Sequence, residues 1–537
     1  MRRFGHLVVT PERVRAEGLL IASLSGSLTQ GIISQQARLG VTTVKQIVLA
    51  AAFALVLGIV RAEPLSLTAE GLSSAGAVAG DIYVLGHAFE YVASLSDELG
   101  PRLTGSEQFQ RAVHWAVEQF HAMGIADVRL EPVVLKHGWQ RGAAQARLLG
   151  EAPRTLHVAS YGWSPPTPKG ALRGPVVFLE DTTDAAIAAA RVKGAIVLVD
   201  RASLTGPVAF RHTTPEEWQR ERLYETLDQR LKAAGALAAL VYSKTVNQVL
   251  RTSAPTEGGE ALALPVGSIG REDALLIRRR LTKGAVEIEL SLDNVLTGPI
   301  TLQNVVAELP GREHPAEWVM LGAHLDSWDF ATGAQDNGSG VAQVMEAARA
   351  MAGLGSRPRR SLRFVLWASE EQGENGSKAF VRAHANSMGQ VVAYLNTDTG
   401  AGRPLGWNVA GREDLVRALE PLAPLLDRLG GSATSNDLSF DTDTAAFLVA
   451  GVPTLNLDVV DDQYDAVVHH KPADTLDKID VHDLTAGAAM LAVTAYALAD
   501  SSRPIAPHLT SEQTKELLKR NGALEYVQST SMKDLLP

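Results

Sequence analysis

Cysteine is absent from all 537 residues. This excludes disulfides and thiolate metal sites alike, so any metal must be held by His, Asp and Glu. Lys and Arg form no cluster able to neutralise a phosphate backbone, and the formal charge is −10, which argues against a nucleic-acid binder and favours small or basic partners. No internal repeat recurs, and Gly 47 and Pro 25 are near ordinary usage, so solenoids and low-complexity segments are set aside. Long apolar runs are lacking too. The one candidate, IVLAAAFALVLGIV from Ile47 to Val60, has 14 residues, too few to span a bilayer comfortably but matched to the h-region of a secretory signal. Lys45 precedes it, and Val60-x-Ala62 fits a small-residue cleavage pattern. Residues 1–62 therefore read as an N-terminal extension and signal peptide. The mature chain is expected in the periplasm or secreted, with no membrane contact.

What is present suits a large globular, soluble protein. A hydrophobic content of 46% over this length can bury several cores and points to two or three domains. Helical patterns up to Met123 and strand-like runs at Asp127–Leu135 and Ala144–Leu149 make residues 63–157 the first part of one domain. Residues 158–297 differ in texture: short runs such as GPVVFLE and GAIVLVD lie between Gly, Pro and polar turns, with one helix near Glu216–Ala234. They read as a β-rich insert, with no dense cluster of His and acids, expected to pack beside the polar edge of the domain it interrupts and to supply no reactive groups itself. Residues 298–500 then alternate strand and helix, with strands at Asn304–Glu308, Glu317–Leu321, Leu362–Ala368, Val391–Asn396 and Pro453–Asp458 and helices at 340–352, 376–387, 412–429 and 483–499. This order predicts an α/β domain with a mixed, mainly parallel sheet covered on both faces. Residues 501–537 read as a C-terminal tail with one capped helix after Thr510.

The chemistry gathers where those strands end. His324 and Asp326 follow the apolar run Trp318-Val319-Met320-Leu321, and Asp336-Asn337-Gly338 leads into helical spacing at Val341, Val344, Met345, Ala348 and Met351. Glu370-Glu371 follow RFVLWAS, Asp398 follows VVAYLN, and His469, His470 and Asp474 lie beyond PTLNLDVV. Ligands bind outside the carboxyl ends of strands in such sheets. Singly, each residue reads as a turn, a surface group or an ordinary histidine; jointly they point to one site. Two imidazoles and three or four carboxylates without a thiol suit Zn²⁺ or a similar divalent ion, and an aspartate with two oxygens can bridge a pair of ions. A carboxylate that does not ligate can move a proton, and Glu370 and Glu371 could divide those jobs. His384 and His482 lack such company and read as structural.

HLDSWDFATGAQDNGSG, SEEQGENGS, NTDTG, AGVPTLNL and HHKPADTLDKID, in this order, resemble the M28 family of co-catalytic zinc peptidases, in particular its carboxypeptidase Q branch. The resemblance implies a phosphorylase/hydrolase-like zinc-exopeptidase domain interrupted by a protease-associated (PA) insert, two Zn²⁺ per chain, a small peptide substrate and a homodimer. It implies that His324 and Asp398 bind one zinc, Glu371 and His470 the other, and that Asp336 bridges them. Glu370 would be the general base, and Asp326 would orient His324. In the family the ligand stands four residues before an Asp-Thr pair, which selects His470, with His469 the alternative. Gln335 departs from the histidine expected there in the nearest relatives but removes no ligand.

The expected activity is exopeptidase hydrolysis of dipeptides or short peptides, with aminopeptidase specificity as the alternative within the family. A glutaminyl-cyclase-like acyltransferase would work with one zinc, and a non-catalytic receptor-like relative would have lost ligands; the complete set of five disfavours both.

Overall fold

The run Trp318-Val319-Met320-Leu321 is apolar at every position because both faces of its strand are covered. Val319, Leu321 and Ala323 face helices Ser339–Gly353 and Val481–Asp500, while Trp318 and Met320 join Phe380, Phe447 and Tyr394 on the other face. Each such side chain contributes about 1.5–3 kcal/mol by leaving water. In this computed structural model the described residues are 65–168, 170–200, 214–460 and 464–537; the signal expected within residues 1–62 lies outside them.

The main sheet has eight strands: β1 (Asp127–Leu135), β2 (Ile300–Leu309), β3 (His314–His324), β4 (Arg360–Trp367), β5 (Val391–Asn396), β6 (Pro404–Asn408), β7 (Ala433–Ser435) and β8 (Thr454–Val459). Their order is β1-β2-β4-β3-β5-β8-β6-β7. The central β4-β3-β5-β8 are parallel, whereas β1–β2, β2–β4 and β8–β6 are antiparallel. The sheet is thus mixed, with its parallel part in the centre. Register brings the parallel strands to a common edge: His324 pairs with Trp367, Gly322 with Asn396, and Asn396 with Asn456.

Helix Ser339–Gly353 buries the expected stripe of Val341, Val344, Met345, Ala348 and Met351. Helix Val481–Asp500 starts where the Asp480 carboxylate accepts from the amides of His482 and Asp483, which satisfies two otherwise unpaired donors. Among the described residues it is the one helix long and apolar enough to cross a membrane, and 78% of its most apolar window is buried in the core. The helix expected over 412–429 is broken into Glu413–Leu419, a short 3₁₀ turn and Ala423–Leu426, because Pro421 and Pro424 lack the amide a continuous helix needs. The short β6 and β7, PLGWN and ATS, carry no apolar run and were not foreseen.

The chain leaves the main sheet at Leu135 and returns at Ile300, directly opposite. Between them lies a second eight-stranded sheet. Its parallel core is Leu172–Leu179, Ile196–Asp200, Ala238–Tyr242 and Val266–Ile269, accompanied by helices Asp184–Ala190, Pro215–Glu225, Leu227–Ala233 and Arg271–Leu281. Ala144–Leu148 and Arg154–Leu156 pair into this sheet, so it begins upstream of the expected boundary at 158. Alternating hydrophobicity identifies a strand but does not say which sheet it joins.

The C-terminal segment is more than a polar tail. Thr510 caps helix Ser511–Arg520 in a reciprocal box with Gln513, and Trp218 of the insert donates to the Asn521 carbonyl at 3.1 Å.

Candidate active site

His324 ends β3. Its Nδ1–H donates to the main-chain oxygen of Asp326 at 3.0 Å, which turns Nε2 toward the other strand ends. The Asp326 carboxylate lies farther from the ring, 3.8 Å from Nδ1. Its oxygens instead accept from the amides of Glu370 at 3.1 Å and Glu371 at 3.4 Å, and from the Thr104 hydroxyl at 2.7 Å. Asp326 therefore meets His324 through its main chain and shapes the Glu370-Glu371 turn through its side chain. That turn begins at Ser369, whose φ is +60°.

Buried Arg102 anchors the loop between His324 and Asp336. It donates to the carbonyls of Leu325 at 2.8 Å, Thr332 at 2.9 Å and Gly333 at 2.8 Å. Burial lowers its pKa to about 10, while Asp474 and Asp326 work to raise it. Gly333 has φ +63°, and a Cβ there would meet Ser327 at 2.4 Å, so glycine suits both the left-handed backbone and the space. Asp336 lies in the turn Ala334–Gly338, just before helix Ser339–Gly353 rather than within it. Asp474 accepts from the Gln335 amide at 2.6 Å and the Asp336 amide at 3.2 Å. Asn337 donates to the Thr397 carbonyl at 2.9 Å, tying this turn to the segment that carries Asp398. Gln335 holds the Ala401 amide and the Lys478 carbonyl, a structural use of the position where the sequence departs from its expected relatives.

The side chains converge in two groups. His324 Nε2 lies 3.0 Å from Asp398 Oδ1 and 3.4 Å from Asp336 Oδ1. His470 Nε2 lies 3.0 Å from Glu371 Oε2 and 3.5 Å from Asp336 Oδ2. Asp336 thus offers one oxygen to each group. Glu370 Oε2 stands 3.9 Å from His324 Nε2, and His469 Nε2 stands 4.0 Å from Asp336 Oδ2, so both also lie within reach of the centre. The seven residues given site roles by the sequence (His324, Asp326, Asp336, Glu370, Glu371, Asp398 and His470) come together here. His384 does not; it pairs with Glu131 at 3.0 Å.

Four buried carboxyls crowded together are electrostatically costly without a cation. Burial, then the Asp336 charge, pushes the Glu371 carboxyl well above the usual range; burial and then Asp398 do the same to Glu370, against the pull of His324. Burial raises Asp398 to about 6. For His324, burial works to lower the pKa, but Asp398 and Glu370 raise it well above the ordinary value. Glu371 Oε1 is buried without a hydrogen-bond donor. Oxygen and imidazole donors, excess negative charge and an orphaned carboxylate oxygen fit divalent cations. Two sets of donor atoms, Asp336–His469–His470 and His324–Glu370–Asp398, each lie within 4.8 Å of one another.

The centre opens into a cleft of about 780 Å³, ample for a small peptide. The insert lines it with Arg251 and Glu257, and the C-terminal segment with Tyr526 and Met532. Tyr526 donates to Glu225 Oε1 of the insert at 2.6 Å, and its ring packs on Trp218 with centroids 5.0 Å apart. Arg102, Arg251 and Tyr464 were not foreseen. Tyr464, whose ring stacks on His469 at 5.0 Å, follows too closely on DVVDDQ to carry a periodic signal.

Residues 304–495 match the model of peptidase family M28. Human carboxypeptidase Q is 28% identical over 416 residues, covering 77% of this chain and 85% of that protein. A zinc aminopeptidase from Bacillus subtilis shares the fold, with a TM-score of 0.61 at 22% identity over 79% of this chain and 97% of that one. The crystal structure of a peptidase M28 precursor from Shewanella amazonensis SB2B superimposes with a TM-score of 0.72 at 30% identity, covering 82% of this chain and 99% of the other. A shared mixed sheet, a cation-seeking centre at its carboxyl edge and likeness along nearly the whole of a solved relative lead to one assignment: the chain belongs to peptidase family M28 and is a metallopeptidase.

Proposed function

We propose that the protein is an exported two-zinc exopeptidase that hydrolyses dipeptides or short peptides. The observation that carries this reading is the division of the Asp336 carboxylate, with Oδ1 toward His324 and Asp398 and Oδ2 toward His470 and Glu371. His324 and Asp398 would hold one ion, His470 and Glu371 the second, with Asp336 between. Zinc is the metal named for the Bacillus subtilis aminopeptidase. When bound, such a pair supplies a water acidified toward neutrality and charge stabilisation for the carbonyl oxygen.

This chain's own residues do the rest. Glu370, whose carboxyl is buried beside His324, takes the proton from the attacking water and returns it to the leaving amine. Asp326 holds the backbone of Glu370 and Glu371 so that the two side chains diverge. The insert and the C-terminal segment wall the cleft and limit substrate length. We assign the segment around the second sheet, 144–292, to the protease-associated insert.

Human carboxypeptidase Q favours carboxypeptidase or dipeptidase specificity for this chain, and the Bacillus subtilis fold relative keeps aminopeptidase specificity as the second reading. A panel of free dipeptides, aminoacyl amides and N-blocked peptides separates them. Cleavage of N-blocked peptides, or of free dipeptides but not aminoacyl amides, supports the first; cleavage of aminoacyl amides supports the second; no cleavage of any rejects both. Export predicts a mature N-terminus near Glu63, and a cytoplasmic protein beginning at Met1 would contradict it. The homodimer implied by the family resemblance is decided by light scattering of the mature chain.

A further inference from the structure

Building on the two-ion reading above, we infer that Arg251, contributed by the insert, is a positioning residue that determines which of two adjacent histidines faces the metal centre with a lone pair. Arg251 is buried, at 6% exposure. Its Nη2 lies 3.0 Å from His469 Nδ1, and its Nη1 lies 3.0 Å from Asp465 Oδ1. A guanidinium has only donors and keeps its proton in proteins, so His469 Nδ1 must be the acceptor. Asp465 Oδ1 also lies near that nitrogen, at 3.6 Å, but the guanidinium at 3.0 Å is the nearer partner and takes its lone pair.

With Nδ1 accepting, the neutral ring carries its hydrogen on Nε2. That atom is the one facing Asp336 Oδ2 at 4.0 Å, and it faces it as a donor. His469 then has no lone pair to offer an ion. His470 Nε2, 3.0 Å from Glu371 and 3.5 Å from Asp336, is left as the ligand on that side. Asp465 balances the guanidinium charge from its other edge and keeps the fork in place.

The next insert residue holds the next histidine. The Thr252 amide donates to the His470 carbonyl at 3.0 Å, and His470 sits at φ +60°, a left-handed conformation uncommon for a non-glycine residue. Consecutive insert residues thus clamp consecutive residues of the metal-site loop. The insert, expected only to limit substrate length, also orders the centre from a distance.

The test is zinc affinity measured by competition with a chromophoric chelator in wild type, Arg251→Met, Arg251→Lys, His469→Gln and the Arg251→Met/His469→Gln double variant, with folding checked by circular dichroism. Loss of a partner outside the ligand shell costs about 10–100-fold in metal affinity, and Arg251→Met is expected to show that loss for one of two ions. Arg251→Lys, which keeps one donor, loses less. In the His469→Gln background the same Met change should alter affinity less than about 3-fold, because the arginine acts through that ring. Nitrogen-15 spectra of the wild type should show His469 as the Nε2–H tautomer. Unchanged affinity in both folded Arg251 variants, an equal loss in the His469→Gln background, or an Nδ1–H tautomer overturns the inference. A wild type that binds fewer than two ions overturns the two-ion reading itself, and the inference with it.

Discussion

Glu370 and Glu371 are consecutive, yet they face different imidazoles: Glu371 Oε2 lies 3.0 Å from His470 Nε2, whereas Glu370 Oε2 lies 3.9 Å from His324 Nε2. Their amides are held side by side on the Asp326 carboxylate, so the divergence is imposed by the turn. Glu370→Gln keeps the shape and removes the base. Both metals should stay bound while turnover falls about 10²–10⁴-fold, the usual contribution of a positioned general base. Glu371→Gln removes a charged ligand, so it should weaken one metal site, with part of the activity restored by added zinc. The reverse pattern of metal loss would exchange the two roles.

A second prediction concerns support for His470 from behind. Trp328 packs edge-on against the His470 ring with centroids 5.9 Å apart. A Cβ on Gly162 of the insert would meet the Trp328 ring at 2.3 and 2.6 Å. Gly162→Ala should therefore cost about 1–3 kcal/mol, the range for overpacking a rigid interior group, and lower zinc affinity as well. Gly284→Ala, where nothing lies within 4 Å of the added atom, is the control and should stay within about 0.5 kcal/mol of wild type. Chemical denaturation of both variants checks the contrast.

The seam between the insert and the C-terminal segment should be pH-sensitive. Burial, then the neighbouring Glu221 charge, raises the Glu225 carboxyl to about 7, against the hydrogen bonds from Tyr526 and Arg222. A carboxyl with a raised folded-state pKa binds more protons folded than unfolded across the interval from its ordinary value up to about 7. Its stabilising contribution is full below that interval and is lost as pH rises through about 7. Glu225→Gln lacks this titration, so its denaturation midpoint should gain on wild type between about pH 5 and pH 7.5. A constant difference across that range would show that Glu225 does not titrate there.

Much of the centre was legible because its ligands follow strands that end in apolar runs. The runs ending at His324, Trp367 and Asn396 mark one edge of one sheet, and the polar residues just beyond them had to meet there. The parts that were not legible rest on isolated residues with distant partners. Arg102 reaches Leu325 across 223 residues of sequence, and Arg251 reaches His469 across 218; a single arginine in a loop has no periodicity to announce such a partner. Strands β6 and β7 were missed because they are short and carry no apolar run, and the insert boundary because pairing partners are not encoded in hydrophobic alternation.

The central claim is a centre holding two ions between His324, Asp398, Asp336, Glu371 and His470, and metal content measured beside activity tests it most directly. Elemental analysis of purified mature protein should give about two zinc ions per chain, the occupancy of a two-metal site. Chelation should abolish hydrolysis, and readdition of zinc should restore it. Full hydrolysis by metal-free protein, or saturation of activity at a single ion per chain, would contradict the account.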